Sequence, residues 1–192
     1  MLLLFLGLTL GCVGNLETTS METAAETEIE DSAIAAAEEV CANIMGFTSC
    51  NFTTTNSDGD EIEFHELMGK PVILDFSTMW CGPCNIAADE VQEVQDTYPD
   101  VVYLTVIIEN STGVNPTTED LQSWKNSHGI EDAPVWAGSR DIITGSPIET
   151  AGEFYLSSWP TFYFLDDELS IVGYQKGFSS DIIEGWAASL SE

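Results

Sequence analysis

The sequence predicts an α/β domain in which helices cover a central mixed β-sheet. Three observations carry that prediction. Pro71-Val72-Ile73-Leu74-Asp75-Phe76 is an almost unbroken run of apolar strand formers, the pattern of a strand buried on both faces. Residues 101–108 form a second such run, and the helix-period segment between the two suits a parallel crossover. Nearer the C-terminus, residues 161–165 and 170–175 read as strands joined through Asp166-Asp167-Glu168, the pattern of an antiparallel hairpin. Parallel strands followed by a hairpin give a mixed sheet with helices layered on it.

The remaining elements follow in order. Residues 12–30 are rich in Thr, Glu and Ala, with almost nothing large and apolar, and read as an acidic, solvated tether. Ile34, Ala37, Cys41 and Ile44 then recur at helical spacing until Gly46, which predicts a helical N-terminal extension over 31–50. Residues 52–63 read as a hairpin turning at Ser57-Asp58-Gly59-Asp60, and open a domain spanning 51–192. After Cys84, one helix is expected to bury Ala87, Val91, Val94 and Tyr98, with Pro99 ending it. Thr117-Thr118-Glu119-Asp120 opens a further helix with Leu121 and Trp124 on one side and Gly129 at its end. Residues 131–158 are irregular apart from a short strand near Val135 and Trp136, and the last helix carries Ile182, Ile183, Trp186, Ala187 and Leu190.

The chemistry concentrates at Trp80-Cys81-Gly82-Pro83-Cys84, on the strand-to-helix junction. Two thiols two residues apart can close into a disulfide and reopen. Unpaired N–H groups at a helix start favour the first sulfur as a thiolate. Zinc is the competing use of such a pair, but a structural zinc site needs two more ligands, and His65 and His128 stand alone in the sequence. No metal is expected, and dithiol chemistry needs no cofactor.

Lys and Arg number 4 against 33 Asp and Glu, a net charge of −29, so nucleic acid and anionic membrane surfaces are not expected ligands. Residues 1–10 are almost wholly apolar, too few to span a bilayer but suited to a signal-peptide core over 1–11. Leu8-Thr9-Leu10-Gly11-Cys12 resembles a bacterial lipobox, which would make Cys12 a lipidated residue; a plain secretory signal is the alternative. Either way the protein is expected outside the cytoplasm, lipid-anchored to the outer face of a membrane or periplasmic, and touching membrane only through that anchor. Of the five cysteines, assigning Cys12 to lipid leaves Cys81 with Cys84 and Cys41 with Cys50. Disulfides persist in exported chains, so Cys41–Cys50 is expected as a structural bridge, with a second redox pair or a resolving partner for Cys81 as its alternative.

Together these landmarks resemble the thioredoxin fold, and within it the TlpA-like branch of exported or membrane-anchored thiol–disulfide oxidoreductases. The resemblance rests on Trp80-Cys81-Gly82-Pro83-Cys84 after a strand, on Asp75 six residues before Cys81, and on Trp159-Pro160-Thr161 heading the terminal hairpin. The first hairpin, the segment preceding Trp159 and Met68-Gly69-Lys70-Pro71-Val72 carry the branch-level likeness. The resemblance implies Cys81 as nucleophile, Cys84 as the buried resolving thiol, and Asp75 as the buried acid that takes the proton of Cys84. It implies a cis-proline at Pro160, with Trp80, Trp159 and Gly177 lining a groove for an extended peptide. It further implies disulfides of exported proteins as substrates and a membrane-embedded electron donor as partner. A thiol peroxidase or a copper chaperone on the same fold are the alternatives.

Overall fold

The computed structural model describes residues 41–146 and 152–192. The expected signal peptide, Cys12, the tether and the first part of the helical extension lie outside the described residues. A hairpin of β1 (Thr53–Thr55) and β2 (Glu61–Glu63) turns through Asn56, whose Oδ1 accepts the N–H groups of Asp58 and Asp60 at 2.9 Å each. A 3₁₀ turn, Phe64–Leu67, follows and leads into β3 (Val72–Thr78), every residue of which is buried.

Strand β3 is the hub. It pairs in parallel with β4 (Val102–Glu109), which pairs in parallel with β5 (Val135–Ala137). On its other edge it pairs antiparallel with β8 (Thr161–Leu165), which pairs antiparallel with β9 (Ile171–Lys176). The sheet order is therefore β5-β4-β3-β8-β9, mixed as the sequence predicts. One face carries Ile73, Tyr103, Ile107, Phe162 and Phe164 under the helices, and the other carries Leu74, Phe76, Val106 and Tyr163 under the first hairpin and the segment before β8. Covering both faces explains why the β3 and β4 sequences are continuous apolar runs rather than alternating ones.

Helix α3 (Thr118–His128) starts and stops where the sequence places it. Thr117 and Asp120 form a reciprocal capping box, and Gly129 ends the helix at φ 65°, a left-handed conformation that suits glycine. The segment after Cys84 differs from expectation. It is two helices, α1 (Gly82–Ala88) and α2 (Val91–Thr97), because at Glu90 the ladder tightens and its N–H bonds to the oxygen of Ala87, three residues back. The two acids at the break reach different helices: Asp89 bonds His128 of α3 at 2.7 Å, and Glu90 accepts from Ser180 of α4 (Ser180–Leu190) at 2.6 Å. The bend leaves Ala87, Val91 and Val94 packed on the sheet, as their spacing predicts.

The helical extension is also corrected within the described residues, since 41–50 contain no helix. Cys41 and Cys50 are joined in a disulfide, and residues 46–49 run beside the start of β9. Gly46 N–H donates to Ile171 O, Ile171 N–H to Phe47 O and Ser49 N–H to Leu169 O. A cross-link between residues nine apart and a bridge to a strand edge override helical spacing. In the irregular stretch, β6 (Ile143–Thr144) and β7 (Phe154–Tyr155) form a small parallel pair, too short for any periodicity to show.

Gly173 in β9 is the tightest fit in the sheet. A Cβ there would lie 2.5 Å from Trp186 Cζ2 and 2.9 Å from Phe164 Cδ2, inside the stacked Phe164–Trp186 pair. Gly173→Ala is expected to destabilise the domain by about 1–3 kcal/mol through overpacking. Thermal melts of parent and variant check this, with a fall in Tm of about 5 °C expected.

Candidate active site

Cys81 and Cys84 lie at the C-terminal end of the parallel strands, where β3 hands over to α1. They are disulfide-bonded. Cys81 is the N-cap of α1, and its sulfur accepts the N–H of Cys84 at 3.3 Å. In the dithiol state the same N–H stabilises a thiolate, alongside the partial positive charge of the helix start. Pro83 fits the first turn, which has no use for its missing N–H. Asn85 ties the turn down, donating from Nδ2 to the oxygens of Cys81 at 2.7 Å and Met79 at 3.2 Å. Cys84 is wholly buried and Cys81 nearly so, at 6% exposure, while neighbouring Trp80 is 48% exposed.

Asp75 is completely buried on the strand face shared with Ile73, which packs in the layer holding Cys81 and Cys84. Burial pushes its pKa up to about 7, partly opposed by the Ser77 hydroxyl, which donates to Oδ1 at 2.8 Å. Its Oδ2 has no hydrogen-bond partner, nor has Oγ1 of Thr105, the residue opposite Asp75 on β4. No lysine stands on β4 to hold the carboxylate ionised.

The predicted groove residues gather here. Trp159–Pro160 is a cis peptide bond. Thr161, the next residue, opens β8 opposite Phe76 of β3, so the proline stands at the same sheet end as the cysteines. Gly177, at φ 69°, donates its N–H to the Pro160 oxygen at 2.8 Å. Trp80 and Trp159 meet edge to face, ring centroids 6.5 Å apart.

Two further residues at the site carry no signal in local sequence pattern strong enough to have singled them out. Glu109, the last residue of β4 and 8% exposed, accepts the Trp80 indole N–H on Oε2 at 2.9 Å. Its Oε1 is held by Arg140, through Nε at 2.6 Å and Nη2 at 2.5 Å. An acid ending the strand beside the one that carries the cysteines was the available signal for Glu109. Arg140 had only its uniqueness, being the single arginine of the chain. The histidines are engaged elsewhere, His65 Nε2 with Ser49 O at 2.7 Å and His128 with Asp89.

The AhpC/TSA family model matches residues 46–172, from the bridge beside β9 into β9 itself. The chain belongs to that family. Thioredoxin H4-2 of Oryza sativa subsp. japonica is 32% identical over 84 residues, covering 43% of this chain and 56% of the rice protein, so the match spans about half that relative's length. Among solved structures, a putative thiol:disulfide interchange protein DsbE from Chlorobium tepidum superposes with a TM-score of 0.61 at 18% identity, covering 78% of this chain and 99% of that one. The pneumococcal exposed lipoprotein thioredoxin Etrx1 of Streptococcus pneumoniae strain TIGR4 gives 0.58 at 24% identity, covering 73% and 100%. These superpositions show the thioredoxin fold in this AhpC/TSA member.

Buried Asp75 makes stability depend on pH. Folding raises its pKa from 3.8 to about 7, so the native state holds a proton there that the unfolded state releases. Its contribution is intact below pH 4, declines as pH rises, and is fully lost once pH passes the folded pKa. Asp75→Asn is expected to leave stability near pH 4 little changed. By pH 8 it should gain on the order of 4 kcal/mol relative to the parent. Denaturant unfolding of both disulfide-bonded proteins across that range measures the difference.

Proposed function

We propose that the protein is a thiol–disulfide oxidoreductase that reduces disulfides of exported proteins. The observation that carries this is the Cys81–Cys84 pair at the start of α1, with Cys84 buried and Asp75 buried on the sheet face that packs in the same layer. In the reduced protein the Cys81 thiolate attacks one sulfur of a substrate disulfide, forming a mixed disulfide and releasing the first substrate thiol. Cys84 then loses its proton, attacks the Cys81 sulfur and expels the second substrate thiol. Two electrons pass to the substrate and Cys81–Cys84 closes. An acid with a pKa near 7 suits the proton transfer, being ionised often enough to accept the Cys84 proton and basic enough to hold it.

Trp80, Trp159, Pro160 and Gly177 border the approach to Cys81, the positions at which an extended peptide carrying the disulfide would lie. The sequence Gly-Pro between the cysteines suits a reducing dithiol. Etrx1 is described as an exposed lipoprotein, and a Mycobacterium tuberculosis neighbour as a secreted disulfide oxidoreductase, which supports export here. Outside the cytoplasm the dithiol is regenerated by a membrane-embedded donor, and Cys12 carries the anchor. The alternatives have less behind them. A copper chaperone draws on a histidine near the dithiol, whereas both histidines are bonded elsewhere; a thiol peroxidase draws on an arginine at the thiolate, whereas Arg140 is anchored on Glu109 and lines the cavity on the far side of Trp159.

With dithiothreitol as electron source, the parent domain is expected to speed insulin-disulfide reduction, and Cys81→Ser to lose at least 100-fold of that rate, about the scale of removing a nucleophile. Cys84→Ser should accumulate a mixed disulfide visible by non-reducing electrophoresis; variants as fast as the parent would sink the proposal. For the anchor, radiolabelled palmitate incorporated in a bacterial host should disappear in Cys12→Ser.

A further inference from the structure

On the far side of Trp159 from Trp80 and the catalytic turn, a cavity of about 380 Å³ is bordered by Arg140, Thr144, Leu156, Ser157, Ser158 and Trp159. We infer that this cavity is a subsite for a single carboxylate on the substrate, an Asp or Glu side chain or a chain terminus close to the reacting cysteine, with Arg140 as the recognising residue. The inference rests on the oxidoreductase reading and adds a substrate class to it.

Position comes first. Trp159 belongs to the cavity wall and also meets Trp80, the residue before Cys81. The cavity is therefore linked to the Cys81 turn through the Trp159–Trp80 pair. An extended peptide advances about 3.3 Å per residue, so side chains within a few residues of the substrate cysteine span the Trp80–Trp159 pair. The volume accommodates a side chain or two rather than a folded loop.

Chemistry comes second. Arg140 is the only arginine among four cations in a chain with 33 acids, and it stands at this cavity. The guanidinium is held in place, since Nε and Nη2 both bond Glu109 Oε1. Its Nη1 edge has no partner among the described residues, and its side chain is 62% exposed. Arginine offers its donors in a rigid fork, so fixing one edge on Glu109 aims the other. Thr144 and Ser157 add hydroxyl-bearing side chains to the wall. A donor-rich, pre-positioned wall calls for an acceptor, and a carboxylate satisfies it better than an amide because the hydrogen bond is charge-assisted.

The net charge of −29 sets the limit. Polyacidic partners are repelled at long range, whereas one carboxylate in an otherwise neutral or basic peptide meets Arg140 at contact distance, where local pairing outweighs screened distant charge. The expected substrate segment thus carries one acid near the disulfide, not several.

Matched disulfide peptides test this, alike except for Glu or Gln placed one, two or three residues from the cysteine on either side. For the parent, kcat/KM is expected about fivefold higher for Glu at one or more positions, the upper end for a charge pair at a rim. Arg140→Gln should bring the ratio close to one. The double variant Arg140→Gln, Glu109→Gln should do the same without leaving a buried carboxylate unpaired. A parent ratio of one at every position, or a preference that survives in both variants, overturns the subsite. Failure of the parent to reduce either peptide overturns the oxidoreductase reading itself, and the subsite with it.

Discussion

The arrangement of the site depends on β3 being hydrogen-bonded along both edges while covered on both faces. Its parallel partner β4 and its antiparallel partner β8 meet it in fixed register, Asp75 opposite Thr105 on one side and Phe162 on the other. Where β3 ends, the chain must leave the sheet, and it does so into Cys81 and α1. Where β8 begins, the chain must enter the sheet, and it does so from Pro160. Because the two strands run antiparallel, the end of one lies beside the start of the other. The cysteines and the proline, some eighty residues apart in sequence, come to one place through backbone pairing alone.

A strand so thoroughly covered offers no place for a charge, yet Asp75 sits in its middle. A carboxylate with one hydroxyl donor and no cation nearby is driven towards its protonated form, so burial raises its pKa to near neutrality. The stability forfeited above that pKa is the counterpart of keeping an ionisable acid in the core. Thr105 across the strand gap leaves its own hydroxyl unbonded, which makes the pocket around Asp75 polar but poorly satisfied. Sites that keep such defects tend to use them, because nothing in packing alone favours them.

Most of this was legible in the sequence because the signals were of the kind that burial enforces. The continuous apolar runs named β3 and β4, the Thr117 and Gly129 caps bounded α3, and the terminal hairpin showed in its polar turn. The cysteine motif, Asp75 and Pro160 were recognisable as a set. What escaped was decided by contacts between distant segments. The spacing that suggested a helix up to Gly46 yields to the Cys41–Cys50 bridge and the pairing with β9. The single helix expected after Cys84 breaks where Asp89 and Glu90 turn to partners on other helices. Glu109 and Arg140 are 31 residues apart, and no local pattern announces that they meet at the back of Trp80.

Glu109 and Asp75 show two ways in which one sheet houses a buried carboxylate. Glu109 lies at the rim of the sheet and has a donor on each oxygen, the indole of Trp80 and the guanidinium of Arg140. Asp75 lies one strand over, deeper, with one hydroxyl and an empty second oxygen. The paired acid is suited to positioning, since it fixes Trp80 beside Cys81 and orients the one arginine of the chain. The unpaired acid is suited to proton transfer. Exchanging their surroundings would alter both, because a cation beside Asp75 would depress its pKa, and an unpaired Glu109 would release Trp80. In this protein the division of labour between the two acids follows from where the lone arginine stands.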